Sequence, residues 1–258
     1  MHSSSGLVPS RSCRACVFRK GGFFCQLSPL QLNDFDKIKS ISVCLPGTLL
    51  FTPQQIPNGF YVVCEGEVKL YLRSISGKTV ILRIARPGEL VGLWAALLDA
   101  PHETSAETLG QCQVAFVAKE AFQQYLEKYP SILRRVLRYL AQDYRASCEQ
   151  LATIGLGTTV VEKTASFLLE WSARSGVVMN NARFSLPFGQ EVIAEHLGTT
   201  RESVARAISH LKKRGLLEVD GQSFLIPDRA ALLCSHIHGR PRGPQLVRLS
   251  VARSRAAS

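Results

Sequence analysis

Residues 190–213, QEVIAEHLGTTRESVARAISHLKK, predict two short helices joined by a tight turn. In the second helix the apolar residues recur at helical spacing and therefore share one face. That face comprises Val204, Ala207, Ile208 and Leu211. Arg201, Glu202 and Arg206 fall on the opposite face. We therefore expect one side of this helix to pack in a core and the other to contact a partner.

The turn between the two helices carries signals of its own. Gly198 tolerates the left-handed backbone that ends a helix. Thr199 stands three residues before Glu202, the spacing of a capping box that starts a new helix. With the small Ala194 at the helix crossing, these signals predict a helix-turn-helix, whose second helix reads bases in the major groove of DNA. The alternative is a surface hairpin of helices with solvated charges.

The residues that follow extend the pattern. LLEV (216–219), the turn Asp220-Gly221 and SFLI (223–226) predict a β-hairpin. Together with RESVAR (201–206), they make the stretch 198–232 resemble the winged helix-turn-helix of the CRP/FNR family of bacterial transcription regulators. The resemblance implies a homodimer that binds double-stranded palindromic DNA and has RNA polymerase as a partner.

The same resemblance implies which side chains meet DNA. Arg201 and Arg206 would each hold the two acceptors of guanine, and Glu202 would accept from the amino group of cytosine. The pattern R-E-x-x-x-R is similar to that of catabolite-type readers of GTGA-like half-sites, whereas the FNR branch reads TTGAT. We therefore hypothesise a GTGA-containing palindrome. Contacts to phosphates, which position without specifying, are expected from Gln190, Thr200, Ser203, Lys212 and Lys213.

Composition sets limits on the class of protein. The net charge of +11 suits a partner made of phosphates. Part of that charge lies in a C-terminal tail that contains arginines and no acidic residue, which we expect to be disordered and either to add non-specific DNA affinity or to be merely solvated. No apolar run has the length of a membrane span, and the N-terminus lacks a secretory signal. We expect a cytoplasmic protein without a membrane partner. The tail arginines are Arg240, Arg242, Arg248, Arg253 and Arg255.

The motifs of an enzyme are missing from the sequence. There is no Ser/His/Asp or Cys/His arrangement, no glycine loop of the type that cradles phosphates, and no pair of carboxylates at a useful spacing. We therefore expect a binding protein and not a catalyst.

Three cysteines near the N-terminus, Cys13, Cys16 and Cys25, have the spacing C-x2-C-x8-C. Disulfides are rare in the cytoplasm, and thiolates are the soft ligands that zinc and iron-sulfur clusters prefer. Three ligands are one short, so a fourth must come from elsewhere in the chain.

The family resemblance implies where that fourth ligand lies. The oxygen-sensing FNR branch holds a [4Fe-4S] cluster with three N-terminal cysteines and one near the end of its sensory β-roll, and Cys112 in AETLGQCQVAFV matches the latter. The spacing between Cys16 and Cys25 is wider than is typical of that branch. Zinc in the same four-cysteine site, or no metal at all, are the alternatives. The remaining cysteines are interpreted as ordinary core, sheet or surface residues: Cys44, Cys64, Cys148 and Cys234.

Between residues 27 and 118 the chain reads as one helix followed by short strands with Pro-Gly, Asn-Gly and Ser-Gly turns. Such a pattern favours a β-roll or jelly roll, and it resembles the cyclic-nucleotide-binding-type sensory domain of the family. In the helix we expect Leu30, Phe35 and Ile38 to face inward. Relatives that bind a cyclic nucleotide place an arginine where this chain has His102-Glu103. A carboxylate there would repel a phosphate, so cyclic AMP is not expected as a ligand.

From Lys119 onward the pattern turns helical, with a long apolar stripe after Pro130. A stripe of this length favours a coiled-coil seam with a second subunit, although packing on the chain's own β-roll is an alternative that is compatible with it. Paired recognition helices of a two-fold dimer would reach half-sites about 34 Å apart. The residues assigned to the dimer interface are Ile132, Leu133, Val136, Leu140, Tyr144 and Leu151.

The sequence thus predicts an α+β protein with a β-roll, a long dimerisation helix and a winged helix-turn-helix. Its function would be a dimeric DNA-binding transcription regulator that responds to oxygen or nitric oxide through a [4Fe-4S] cluster. The alternative is the same regulator gated by a small molecule in the β-roll. The expected divisions are a cysteine segment (1–26), the β-roll (27–118), the helical region (119–155), the DNA-binding domain (156–235) and the basic tail (236–258).

Overall fold

The computed structural model describes residues 12–13, 16, 22–156 and 159–237. The N-terminal half of this described part forms two four-stranded antiparallel sheets with strand orders β1-β8-β3-β6 and β2-β7-β4-β5. This arrangement confirms the predicted β-roll. The strands are β1 (Lys39–Cys44), β2 (Leu49–Phe51), β3 (Gly59–Glu65), β4 (Val68–Arg73), β5 (Thr79–Ala85), β6 (Leu90–Val91), β7 (Ser105–Thr108) and β8 (Cys112–Ala118).

Helices flank the β-roll and connect it to the C-terminal part. The helical region that starts at Lys119 is divided at Tyr129-Pro130, because proline cannot continue the first helix. No helix in the described ranges combines the length and the apolar composition needed to cross a bilayer. The helices of this half are α1 (Pro29–Ile38), α2 (Leu93–Leu98), α3 (Lys119–Lys128) and α4 (Ser131–Gly155).

The inward face of α1 differs from the expectation. Ser28 caps the helix and Pro29 occupies its first turn, and this phase turns Leu32 and Phe35 into the core. The ring of Phe35 stacks on that of Phe24 at 3.7 Å between centroids. Leu30 is 64% exposed, so its predicted inward position was wrong.

The C-terminal part is a winged helix-turn-helix, as predicted. The wing hairpin turns at Gly221, whose φ of +57° suits glycine, and it pairs with a further strand in the order β10-β11-β9. The elements are α5 (Val160–Arg174), β9 (Ala182–Ser185), α6 (Gln190–Leu197), α7 (Arg201–Lys213), β10 (Glu218–Asp220), β11 (Ser223–Ile226) and α8 (Arg229–Ile237).

One apolar core joins the β-roll to the DNA-binding helices. Ile81 and Ile84 of β5 share this core with Ile193 and Leu197 of α6. The amide of Gln150, near the end of α4, donates to the carbonyl oxygens of Ile81 (2.9 Å) and His196 (2.6 Å). The helix-turn-helix therefore packs directly against β5, and α4 is hydrogen-bonded to both β5 and α6.

Candidate nucleic-acid interface and cysteine cluster

The apolar face of α7 is buried in the core of the chain. Val204, Ala207, Ile208 and Leu211 are all nearly inaccessible to solvent, as the sequence predicted. Arg201, Glu202 and Arg206 are exposed on the opposite side, and these three residues are called the reading face below. The helix therefore presents a charged surface on a rigid support.

The start of α7 differs by one residue from the prediction. Gly198 has a φ of +65°, and the amide of Thr199 donates to the carbonyl of Ala194, which completes the end of α6. Thr200 is therefore the first extended residue, and its hydroxyl accepts from the amide of Ser203 at 3.3 Å. The predicted capping box between Thr199 and Glu202 was wrong.

Glu202 is thus not part of the predicted capping box, but its carboxylate still interacts at the start of α7. The pKa of its carboxyl lies below the usual value, first because backbone amide hydrogen bonding at the helix start favours the anion, and then because the Thr200 hydroxyl adds a second hydrogen bond. Arg206 contacts Ser203, with 3.2 Å between its Nη2 and the serine Oγ. The reading face thus carries one carboxylate between two arginines.

The expected phosphate contacts lie around the same surface. Lys212 and Lys213 are exposed in the last turn of α7, Thr200 is exposed at its start, and Ser203 and Gln190 are half-buried. All five side chains are therefore at least partly accessible to solvent.

His196 lies where α4, α5 and α6 meet. Its ring packs at 5.2 Å from that of Phe167, and its Nδ1 is 3.4 Å from the amide nitrogen of Gln150. Burial, together with the positive charge of Arg174, lowers the pKa of His196 to about 4. The imidazole is therefore neutral in the folded protein at neutral pH.

We expect this neutral His196 to make stability depend on pH. Because its pKa is below 6.5 in the fold and near 6.5 in the unfolded chain, the unfolded state binds more protons as the pH falls from 6.5 to 4. Acidification should therefore cost at most about 3 kcal/mol of unfolding free energy from this residue. Urea unfolding at pH 7 and pH 5 should show a smaller loss in His196→Gln than in the wild type. His210→Gln, on the exposed side of α7, is the matched control, and equal losses in all three proteins would contradict the assignment.

A cavity of about 360 Å³ lies between the β-roll and α4. The half-buried Arg83 lies in its wall, where the guanidinium is 2.6 Å from the carboxylate of Asp143 and also donates to the Tyr139 hydroxyl. The ring of His102 stacks on Phe51 at 3.8 Å, and burial lowers the pKa of His102. The guanidinium of Arg83 in the cavity wall is thus already paired with a carboxylate.

The N-terminal cysteines approach the outer side of the sheet that contains β3. Cys13, Cys16 and Cys25 line one small apolar cavity of about 40 Å³, and the fourth thiol in its wall is that of Cys64 on β3. These four residues are called the cysteine cluster below. Burial raises the pKa of Cys64 to about 11; Lys39 lowers it, and Cys16 and Cys25 raise it. The sequence interpretation of Cys64 as an ordinary core residue missed this position.

Cys112 does not join the cysteine cluster. It begins β8 opposite Cys44 and packs with Val63 and Val114 in the core between the two sheets. Its Sγ donates to the carbonyl oxygen of Glu67 at 3.2 Å. The expectation that Cys112 shares a site with Cys13, Cys16 and Cys25 is corrected, because the hydrogen-bonded sheet lies between them.

The positively charged Lys39 lies next to the cysteine cluster. The ammonium of Lys39 lies 2.8 Å from Cys13 Sγ and 2.6 Å from a carboxylate oxygen of Asp36. Burial raises the pKa of Cys13 to about 12, an effect that the hydrogen bond from Lys39 opposes. Within the described residues, no three Cys, His, Asp or Glu side chains already stand in a metal-binding geometry. The four thiols are therefore suitable ligands for iron or zinc, but their sulfur atoms must move closer together to bind a metal.

The long helix α4 has two apolar faces. Ile132 and Val136 are buried against the chain's own β-roll, so their assignment to a dimer interface is corrected, and Leu140 is half-buried beside them. A second face remains open to solvent and is called the exposed stripe below. It comprises Leu133, Leu137, Tyr144 and Leu151, each at least 50% exposed.

Two family models match this chain. The cyclic nucleotide-binding domain matches residues 43–129, and the Crp-like helix-turn-helix domain matches residues 162–234. Among curated proteins, the nitrogen fixation regulation protein FixK of Bradyrhizobium diazoefficiens is 28% identical over 86% of this chain and 94% of its own length. The anaerobic regulatory protein of Pasteurella multocida is 26% identical over 72% of this chain and 67% of its own length.

The solved structures agree with the fold. The structure of FixK2 from Bradyrhizobium japonicum superposes with a TM-score of 0.69 at 23% identity, over 76% of this chain and 96% of that one. The order of the two matched domains, the winged helix-turn-helix with its charged face and the similarity to these regulators lead to one assignment: the chain belongs to the CRP/FNR family of transcription regulators.

Proposed function

We propose that this chain is a dimeric regulator that recognises a palindromic DNA site and responds to oxygen or nitric oxide through a [4Fe-4S] cluster. The observation that carries the DNA part is the reading face, which is solvent-exposed while the opposite face of α7 is fully buried. A rigid helix with exposed arginines at its start is the device by which helix-turn-helix proteins contact base edges. The proposal assigns the chain no catalytic step.

Base discrimination would come from all three residues of the reading face. Arg201 and Arg206 match the two acceptors of guanine, and the anionic Glu202 matches the donor of cytosine. A half-site that contains G·C pairs presents both chemistries, the guanine acceptors and the cytosine donor, and a GTGA-containing palindrome meets this requirement. Lys212, Lys213, Gln190, Thr200 and Ser203 would contact phosphates around it.

Two chains would pair through the exposed stripe of α4. Its four large apolar side chains lie on one line of a helix of 25 residues, and a second copy of the same helix would cover them in a two-fold coiled coil. Pairing places two reading faces on one DNA duplex. RNA polymerase is the further partner that a regulator of this family would need.

The cysteine cluster supplies the donors for the sensing part of the proposal. Thiolates are the ligands of iron-sulfur clusters, and the adjacent Lys39 offsets the negative charge of such a site. Gly22 packs against Gly88 so closely that a Cβ on Gly22 would lie 2.5 Å from the Gly88 Cα, which lets the segment that bears Cys25 approach the sheet. When bound, the [4Fe-4S] group supplies a redox-active centre that oxygen can dismantle.

The segment that carries Cys25 also contacts the dimer helix. Arg135 of α4 donates to the carbonyl oxygen of Phe23 at 2.9 Å, and the Phe23 ring meets that of Tyr139 at 5.6 Å. A change at the cysteines therefore has a direct path to α4, on which the exposed stripe lies. We infer that α4 couples the state of the cysteines to dimer formation.

Two measurements on anaerobically purified protein test the proposal. Selection from random duplex DNA should enrich GTGA-containing palindromes; enrichment of TTGAT half-sites would overturn the specificity, and no enrichment would overturn the regulator. Iron and sulfide analysis should find both elements in a brown sample. A colourless sample with bound zinc would end the oxygen-sensor proposal and leave the DNA reader standing.

A second candidate for the signal is a small molecule in the 360 Å³ cavity. This cavity borders both the β-roll and α4, and its lining includes Trp94, Leu98 and Leu140, so an apolar ligand there would also act on the dimer helix. Iron and sulfide analysis discriminates the two candidates, because this one requires neither element.

A further inference from the structure

We propose that Cys64 of β3, and not Cys112, is the fourth thiolate ligand of the site formed with Cys13, Cys16 and Cys25. The inference rests on the proposed iron-sulfur cluster and names the ligand that the N-terminal motif lacks. The observation that supports it is that the thiols of Cys64 and Cys112 lie on opposite faces of the sheet.

Strand geometry separates the two candidate thiols. Successive side chains of a strand point to opposite faces of the sheet. On β3, Phe60, Val62 and Cys64 face the N-terminal segment and the helices, whereas Val63 faces the space between the sheets, where Cys112 also lies. A bond from Cys112 to a metal held by Cys13 would have to cross the hydrogen-bonded strands. Cys64 needs no such rearrangement.

A shared cavity brings Cys64 together with the motif cysteines. All four thiols of the cysteine cluster, together with Lys39, border the same small space. Gly22 and Gly88 let the backbone before Cys25 press against the turn that follows β5, and the amide of Phe23 donates to the carbonyl oxygen of Gly88 at 3.0 Å. Cys25 is therefore held close to β3.

Cys112 already has a different role. Its side chain is fully buried, its Sγ is engaged with the Glu67 carbonyl, and a Cβ on Gly66 would lie 2.6 Å from that sulfur. The Cys112 sulfur is therefore enclosed in the core between the two sheets. Cys112 is a packing residue of the β-roll core.

The test compares the full-length wild type with Cys64→Ser, Cys112→Ser and Cys148→Ser, all purified anaerobically. Cys148 is exposed on α4 and serves as the matched control. We expect Cys64→Ser to lose about tenfold or more of its bound iron and sulfide, together with the visible absorbance. The Cys112→Ser and Cys148→Ser variants should keep them. Loss in Cys112→Ser with retention in Cys64→Ser would overturn the inference and leave the sensor proposal intact. A wild type without iron and sulfide would overturn both.

A second measurement does not depend on any variant folding. The metal-free wild type is treated with dibromobimane, which links only thiols that lie close together, and the linked peptides are identified by mass spectrometry. A link between Cys64 and Cys13, Cys16 or Cys25 supports the inference. A link from Cys112 to any of these three, or the lack of a link to Cys64, would overturn it.

Discussion

Arg206→Ala is expected to abolish specific DNA recognition while the fold and the dimer persist. Arg206 is exposed on the reading face, and its guanidinium donates to Ser203 of the same helix, so its loss exposes no core. Each half-site would lose a bidentate contact of about 1–3 kcal/mol, and two half-sites together correspond to a loss of affinity of about 30-fold or more. Fluorescence anisotropy with the selected palindrome measures this change.

The matched control for this experiment is Lys213→Ala. Lys213 is exposed in the last turn of the same helix, and as a phosphate contact it should weaken binding to the palindrome and to scrambled DNA alike, with a shallower dependence on salt. If Arg206→Ala also weakened both duplexes equally, its assignment as a base reader would fail. Arg145→Ala, on the surface of α4, should leave both affinities unchanged.

Leu137→Asp is expected to convert the dimer into monomers. Leu137 is 61% exposed within the exposed stripe, so the substitution removes little packing within one chain and places a charge in the proposed seam. Loss of an apolar contact and burial of an unpaired carboxylate on each chain should weaken association by about 100-fold or more. Sedimentation velocity measures the shift, and binding to a palindrome should fall with it.

The control for the dimer experiment is Gln142→Asp, which adds the same charge to an exposed position of α4 away from the stripe. It should remain dimeric. A Leu137→Asp protein that sediments like the wild type would show that subunits do not meet along this face.

Periodicity predicted the parts of the fold that are governed by local rules. The helical spacing of Val204 and Leu211 predicted the buried side of α7, and short strand-like runs between turn pairs predicted the β-roll. The apolar positions of α4 were also found from the sequence. Their division into two faces was not, because Ile132 and Leu133 look alike until the position of the β-roll is known.

The spacing of the cysteines along the sequence could not show which thiol lies beside Cys13, Cys16 and Cys25. Cys64 and Cys112 both lie in apolar strands, and which face each occupies depends on the strand register and on the irregularity between Val63 and Glu65. The path of the segment before Cys25 depends on Gly22 meeting Gly88, a contact between residues far apart in the sequence. The start of α7 was predicted one residue too early, because the amide of Thr199 donates to the carbonyl of Ala194 and so belongs to the end of α6.

The apolar core that joins β5 to α6 has a consequence for how the molecule responds to stress. Ile81 and Ile193 are buried in the same cluster, and Gln150 ties both elements to α4. Each half therefore covers apolar surface of the other. Heat or denaturant would thus melt the two halves as a single cooperative unit. Cutting the chain between them would expose apolar surface that is buried in the intact protein, and the separated pieces would tend to aggregate.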